Sequence, residues 1–135
     1  MKSINTKNIA GLDADIIASK TIEEYQKAAN ENSLLIAEVG VWRNTLAADP
    51  VERRKCMDYA IGQLKMADMI GAKCCVNVAG TPCGPRWDGG YRGNFSKEIY
   101  DEIVKMIQEI IDTADPKNTV YSIESMPWMV PTGPD

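Results

Sequence analysis

Apolar positions along the chain alternate between short runs and longer stretches of helical period. Thr21-Ile22-Glu23-Glu24 combines an N-cap hydroxyl with an acidic first turn and predicts a helix to about Asn30. Leu34 to Val39 then reads as a strand. Asp49-Pro50 supplies a second N-cap and a first-turn proline. Beyond it Met57, Ala60, Ile61, Leu64, Ala67 and Ile70 recur at the i, i+3, i+4 spacing of an amphipathic helix that Gly71 ends. From Lys73 to Ala79 the chain is nearly continuously apolar, with Asn77 as the break, as expected of a strand covered on both faces. Ser96 caps a third helix with the stripe Ile99, Ile103, Ile107, Ile110 and Ala114, and Asp115-Pro116 stops it. Thr119 to Ile123 forms the third strand, with Glu124 at its C-terminal end.

Short strands separated by amphipathic helices predict β/α units and a parallel sheet, an α/β fold. The pattern is weakest in residues 1–20. The segment 126–135 carries prolines without periodicity and reads as loop or tail. With 135 residues the chain amounts to one domain or part of one, given about 150 residues per domain.

Composition narrows the function classes. Apolar residues at 44% and charged residues at 25% are those of an ordinary globular chain. Fifteen basic against nineteen acidic side chains leave a net charge of −4, which offers no footprint for a nucleic-acid backbone. No apolar run approaches the roughly 20 residues that cross a bilayer, and the N-terminus has no secretory h-region, so the expectation is a cytoplasmic protein that binds neither membrane nor nucleic acid. Cys56, Cys74, Cys75 and Cys83 lack zinc spacing and read as reduced, mostly buried thiols. The absence of histidine removes Ser-His-Asp and Cys-His nucleophile chemistry and any histidine-based metal site built from this chain alone.

In parallel β/α architectures ligands gather where the strands end and the βα loops begin. Counting by two along each strand allows Glu38, Asn77, Ser122 and Glu124 to share one face, with Tyr121 and Ile123 on the other. Buried carboxylates need a cation or a proton, so Glu38 and Glu124 suggest a metal or acid-base site, with a Glu38–Arg43 ion pair as the structural alternative. Trp42, Trp87 and Trp128 each follow a strand by a few residues. Flat apolar rings beside carboxylates suit a sugar, whose C–H faces stack while its hydroxyls take hydrogen bonds; as plain apolar plugs the same rings would anchor loops. The Gly- and Pro-rich loop from Gly80 to Asn94 carries Arg86 and Arg92, yet it matches neither phosphate fingerprint and reads as a substrate lid.

These residues have a family likeness. Ala37-Glu38-Val39-Gly40-Val41-Trp42-Arg43-Asn44 with Asp49, then Ala67 to Lys73, Gly80 and Asn94, and finally Ser122-Ile123-Glu124-Ser125-Met126-Pro127-Trp128, resemble in order and spacing the xylose isomerase-like TIM barrels, the sugar phosphate isomerase/epimerase superfamily. The resemblance implies part, about half, of a TIM (β/α)8 barrel, a single partial domain over 1–135. A full barrel takes about 250 residues, so the resemblance implies that this chain holds the middle strands, the third to fifth. It further implies a divalent metal, Mn, Mg, Co or Zn, in the complete site, with Glu124 as metal ligand and catalytic proton-transfer group, and a reaction through an enediol-like intermediate. Glu38, Trp42, Asn77, Trp87 and Trp128 are the substrate-binding candidates for a sugar or sugar phosphate. The family's further Asp, His and second Glu have no counterpart here, so the expectation is a fragment inactive alone, or a half-barrel completed by association with a second copy or another partner. A non-catalytic binding or self-assembling α/β module is the alternative reading.

Overall fold

The computed structural model describes residues 19–84 and 89–132, and Trp87 and Arg86 lie outside them. Helix α1 spans Ser19–Glu31, strand β1 Glu38–Gly40, helix α2 Pro50–Ile70, strand β2 Cys74–Val78, helix α3 Lys97–Ala114 and strand β3 Val120–Glu124. A short 3-10 turn at Arg92–Phe95 precedes α3. No helix among the described residues is long and apolar enough to cross a membrane.

The second helix begins and ends where its sequence signals place it. The Asp49 carboxylate accepts hydrogen bonds from the amides of Val51 and Glu52 at 2.8 and 2.9 Å, which satisfies two of the donors a helix start leaves orphaned. At the other end Gly71 takes a left-handed conformation, φ 75°, and its amide reaches the carbonyls of Ala67 and Asp68. Ser96 likewise caps α3 through the Ile99 amide, and Asp115 ends it at φ 50°. Arg54 joins α2 to α3, pairing with Asp58 on its own helix and with Glu109 on the other.

The sheet is parallel in the order β1-β2-β3. Its register aligns Val39 with Cys75 and Cys75 with Tyr121 at one level, and Val78 with Glu124 at another. Laterally paired residues point to the same side, so one face carries Val39, Cys75, Asn77, Tyr121 and Ile123. That face meets the helices: Val39 and Cys75 are fully buried with Met57, Ala60, Leu64, Met106 and Ile110, and Tyr121 and Ile123 pack against the same cluster. The other face carries Glu38, Gly40, Cys74, Val76, Val78, Val120, Ser122 and Glu124. Along β3 this face is open, with Glu124 exposed and 58% of the Val120 surface in solvent, whereas on β1 and β2 Gly40, Val76 and Val78 are buried.

Two expectations change here. The ladder of β1 starts at Glu38 rather than Leu34, because the Leu34 amide is still held by Ala29 at the end of α1. Asn77 does not share a face with Glu38, Ser122 and Glu124. Counting by two is right within a strand, but the register between strands puts Asn77 level with Ile123, on the helix side.

Candidate functional site

The C-terminal edge of the sheet is built by three asparagines, each fastening a βα loop. Asn77, fully buried in β2, accepts from the Arg43 amide and donates to the Arg43 carbonyl, both at 3.1 Å, and so holds the start of the β1–α2 loop. Within that loop Asn44 accepts from the amides of Thr81 and Leu46 and donates to the Thr81 carbonyl. Asn94, just ahead of α3, accepts from the Thr81 hydroxyl and donates to the carbonyls of Gly89 and Trp128 at 3.2 and 3.0 Å. An asparagine side chain offers an acceptor and two donors in one plane, so it can replace the ladder partners that loop backbone lacks.

Glu124 ends β3 on the open face, where its carboxylate is exposed. Trp42 follows β1 at φ 52°, and its indole folds back over Gly40, where a side-chain Cβ would overlap Nε1 and come within 2.7 Å of Cδ1. Since Gly40 is level with Val76 and Ser122 on the face opposite the helices, the indole lies on that same face. Two strand spacings, about 10 Å, separate it laterally from β3, a width that a monosaccharide with its hydrogen bonds can fill. Trp128 is half-buried against the core, and its indole Nε1 is buried without a hydrogen-bond partner among the described residues.

Glu38 is placed differently from expectation. It opens β1 at the level of Cys74 and Val120, four residues below the level of Glu124. With about 3.3 Å per residue and about 4.8 Å per strand, the two α-carbons are on the order of 16 Å apart, too far for one carboxylate pair. Nor does an ion pair join Glu38 to Arg43; the Arg43 guanidinium lies 4.7 Å from the centre of the Tyr59 ring on α2. Thus the structure brings Glu124 and Trp42 to one face, holds Trp128 through its carbonyl, and turns Asn77 toward the helices.

A cleft of about 430 Å³ opens beside Trp42, Arg43, Asn44, Asp49, Glu52 and Cys56. Protein partners already occupy much of its polar lining: Asp49 caps α2, and the Cys56 thiol lies 3.7 Å from the Glu52 carboxylate. All four cysteines are free thiols, Cys56 and Cys75 buried and the others half-buried. Burial, and to a lesser degree the neighbouring Cys74, pushes the Cys75 thiol up to about 12. Burial raises the Tyr121 phenol as well. Among the described residues no three His, Cys, Asp or Glu side chains converge as metal donors.

The roles of Asn44, Thr81 and Asn94 as loop fasteners were not read from sequence. The available signal was weak, an asparagine or threonine in each of the loops that follow β1 and β2.

Three parallel strands joined by helices that cover one face, with an acidic side chain at a strand's C-terminal end, are the architecture of part of a TIM (β/α)8 barrel. The D-psicose 3-epimerase of Clostridium cellulolyticum H10, solved with D-tagatose, superposes at a TM-score of 0.62 and 14% identity over 92% of this chain and 41% of that one. The 3-keto-D-glucoside 4-epimerase of E. coli, in its apo form, gives a TM-score of 0.53 and 15% identity over 82% of this chain and 43% of that one. The chain therefore spans about two fifths of the length of these structures. No family model matches the sequence, and no curated protein matches it.

Proposed function

We propose that this chain supplies one wall of a sugar isomerase or epimerase site, with Glu124 as the proton-transfer carboxylate and Trp42 as the stacking surface. The observation that carries the reading is that Glu124 and the Trp42 indole occupy the same face, the one opposite the helices, at the C-terminal edge of a parallel sheet. The two structural neighbours are sugar epimerases by name, which supports a monosaccharide as the ligand class. An exposed carboxylate at a strand end can take a proton from a carbon next to a carbonyl and return it, and an indole holds the sugar's C–H face toward it. Trp128 and Trp87 belong to the same proposal as further wall residues; for Trp87 the support is its place in the loop sequence alone.

A divalent metal belongs to the complete site in this reading. The described residues fit it only in part, with Glu124 as one oxygen donor and no group of three, so no step is drawn through it. The residues here bind, orient and move the proton. Glu38 and Asn77, proposed from sequence as substrate contacts, gain no support from their positions.

Titrating the chain with D-tagatose while following tryptophan emission tests the proposal. The expected result is saturable quenching that Glu124→Gln weakens by about tenfold, the loss that follows from removing one charged hydrogen bond. A lack of saturable change, or equal affinity in the variant, would contradict it.

A further inference from the structure

We infer that Asn94 is a positioning residue that sets the Trp128 backbone and ties it to Thr81 and Gly89, so that these three points move as one unit. Asn94 retains 1% of its surface in solvent and uses all its polar atoms on backbone or side-chain partners of two separate loops. Its amide nitrogen is shared between the carbonyl of Gly89 and that of Trp128, which are remote in sequence, while its oxygen is held by Thr81. Thr81 is itself clamped by Asn44 from the β1–α2 loop. The chain of bonds thus runs Asn44, Thr81, Asn94, Trp128, across the ends of all three strands. Close packing repeats the connection: the position a Cβ would take at Gly90 lies 3.4 Å from the Trp128 Cβ. A residue whose backbone carbonyl is held from one loop and whose ring packs on the core has its main chain tied to that loop, and the ring's starting point with it.

The consequence for sugar binding rests on the proposed function; the mechanical coupling does not. Replacing Asn94 by Asp keeps the shape and the acceptor for Thr81, but sets a carboxylate oxygen against two carbonyls. The test reads two single-tryptophan forms, one retaining Trp128 (Trp42→Phe, Trp87→Phe) and one retaining Trp42 (Trp87→Phe, Trp128→Phe), each with and without Asn94→Asp. Positioning predicts that acrylamide quenching of Trp128 rises by about twofold or more while Trp42 is unchanged, because only Trp128 loses its anchor. Unchanged Trp128, or equal changes in both rings, would overturn it, since a general core prop loosens both. If Asn94→Asp loses its helical circular dichroism, Thr81→Val, which removes the hydroxyl that holds the Asn94 oxygen and accepts from the Cys83 amide, is read in the same way.

In the protein with all three tryptophans, D-tagatose affinity is expected to fall by about tenfold in Asn94→Asp. Unaltered affinity beside a mobile Trp128 would remove the sugar consequence and leave the coupling. An unmodified chain that binds no sugar would defeat the proposed function, with the Trp128 and Trp42 comparison still deciding the coupling.

Discussion

Gly40 shows how one missing side chain shapes the face opposite the helices. Its Cα leaves the space that the Trp42 indole fills, so Gly40→Ala forces the ring away. The expected result is a red-shifted Trp42 emission together with weaker sugar quenching, measured in the form that retains only Trp42. Asp68 matters in a different way, at the opposite edge of the sheet. One of its carboxylate oxygens accepts from the amides of Lys117, Asn118 and Thr119, which turns the chain from α3 into β3. Asp68→Ala removes the acceptor of three amides, of which that of Thr119 is sheltered from water, and is expected to cost about 1 kcal/mol in urea unfolding. Cys75 and Tyr121, laterally paired beneath the helices, are both held neutral by burial. Their folded-state values lie above their unfolded ones, so their contribution to stability is complete below the unfolded thiol value and is lost as pH rises. For Cys75 that window runs from 9.0 to about 12. Urea midpoints are therefore expected to fall through this range, and to fall less steeply in Cys75→Ala, which is less stable at neutral pH because of the cavity it leaves.

At the scale of elements, local chemistry was the most readable part of the sequence. The limits of α2 follow from Asp49-Pro50 and Gly71, and those of α3 from Ser96 and Asp115, because caps act through residues within one turn. Asp49→Ala removes the acceptor for two amides and is expected to lower stability by about 1 kcal/mol, with the helical signal melting earlier. The limits of β1 were less readable. Its ladder depends on β2, a partner some 35 residues away, and nothing in Leu34 to Val39 itself says where pairing begins. The face of Asn77 is hidden in the sequence for the same reason. Register is a relation between strands, and a shift of one residue exchanges the two sides.

For the whole molecule, the strand-end position of Glu124 and the aromatic character of the loops were legible, because alternation and spacing place them. What stayed hidden was how far apart the carboxylates lie and how the loops are tied. Glu38 and Glu124 are both near-strand glutamates in sequence, yet they differ by four levels in a sheet that only the folded register defines. The asparagine bonds reach across 34 to 37 residues and leave no periodic trace. The face opposite the helices is the feature on which the functional reading depends, since Glu124 and the Trp42 indole share it. An NMR titration of the ¹⁵N-labelled chain with D-tagatose tests that claim most directly. The account predicts shift changes concentrated at the Trp42 indole N–H and the amides of Glu124 and Ser125. Shifts confined to the outer surfaces of α2 and α3, or none at saturating sugar, would contradict it.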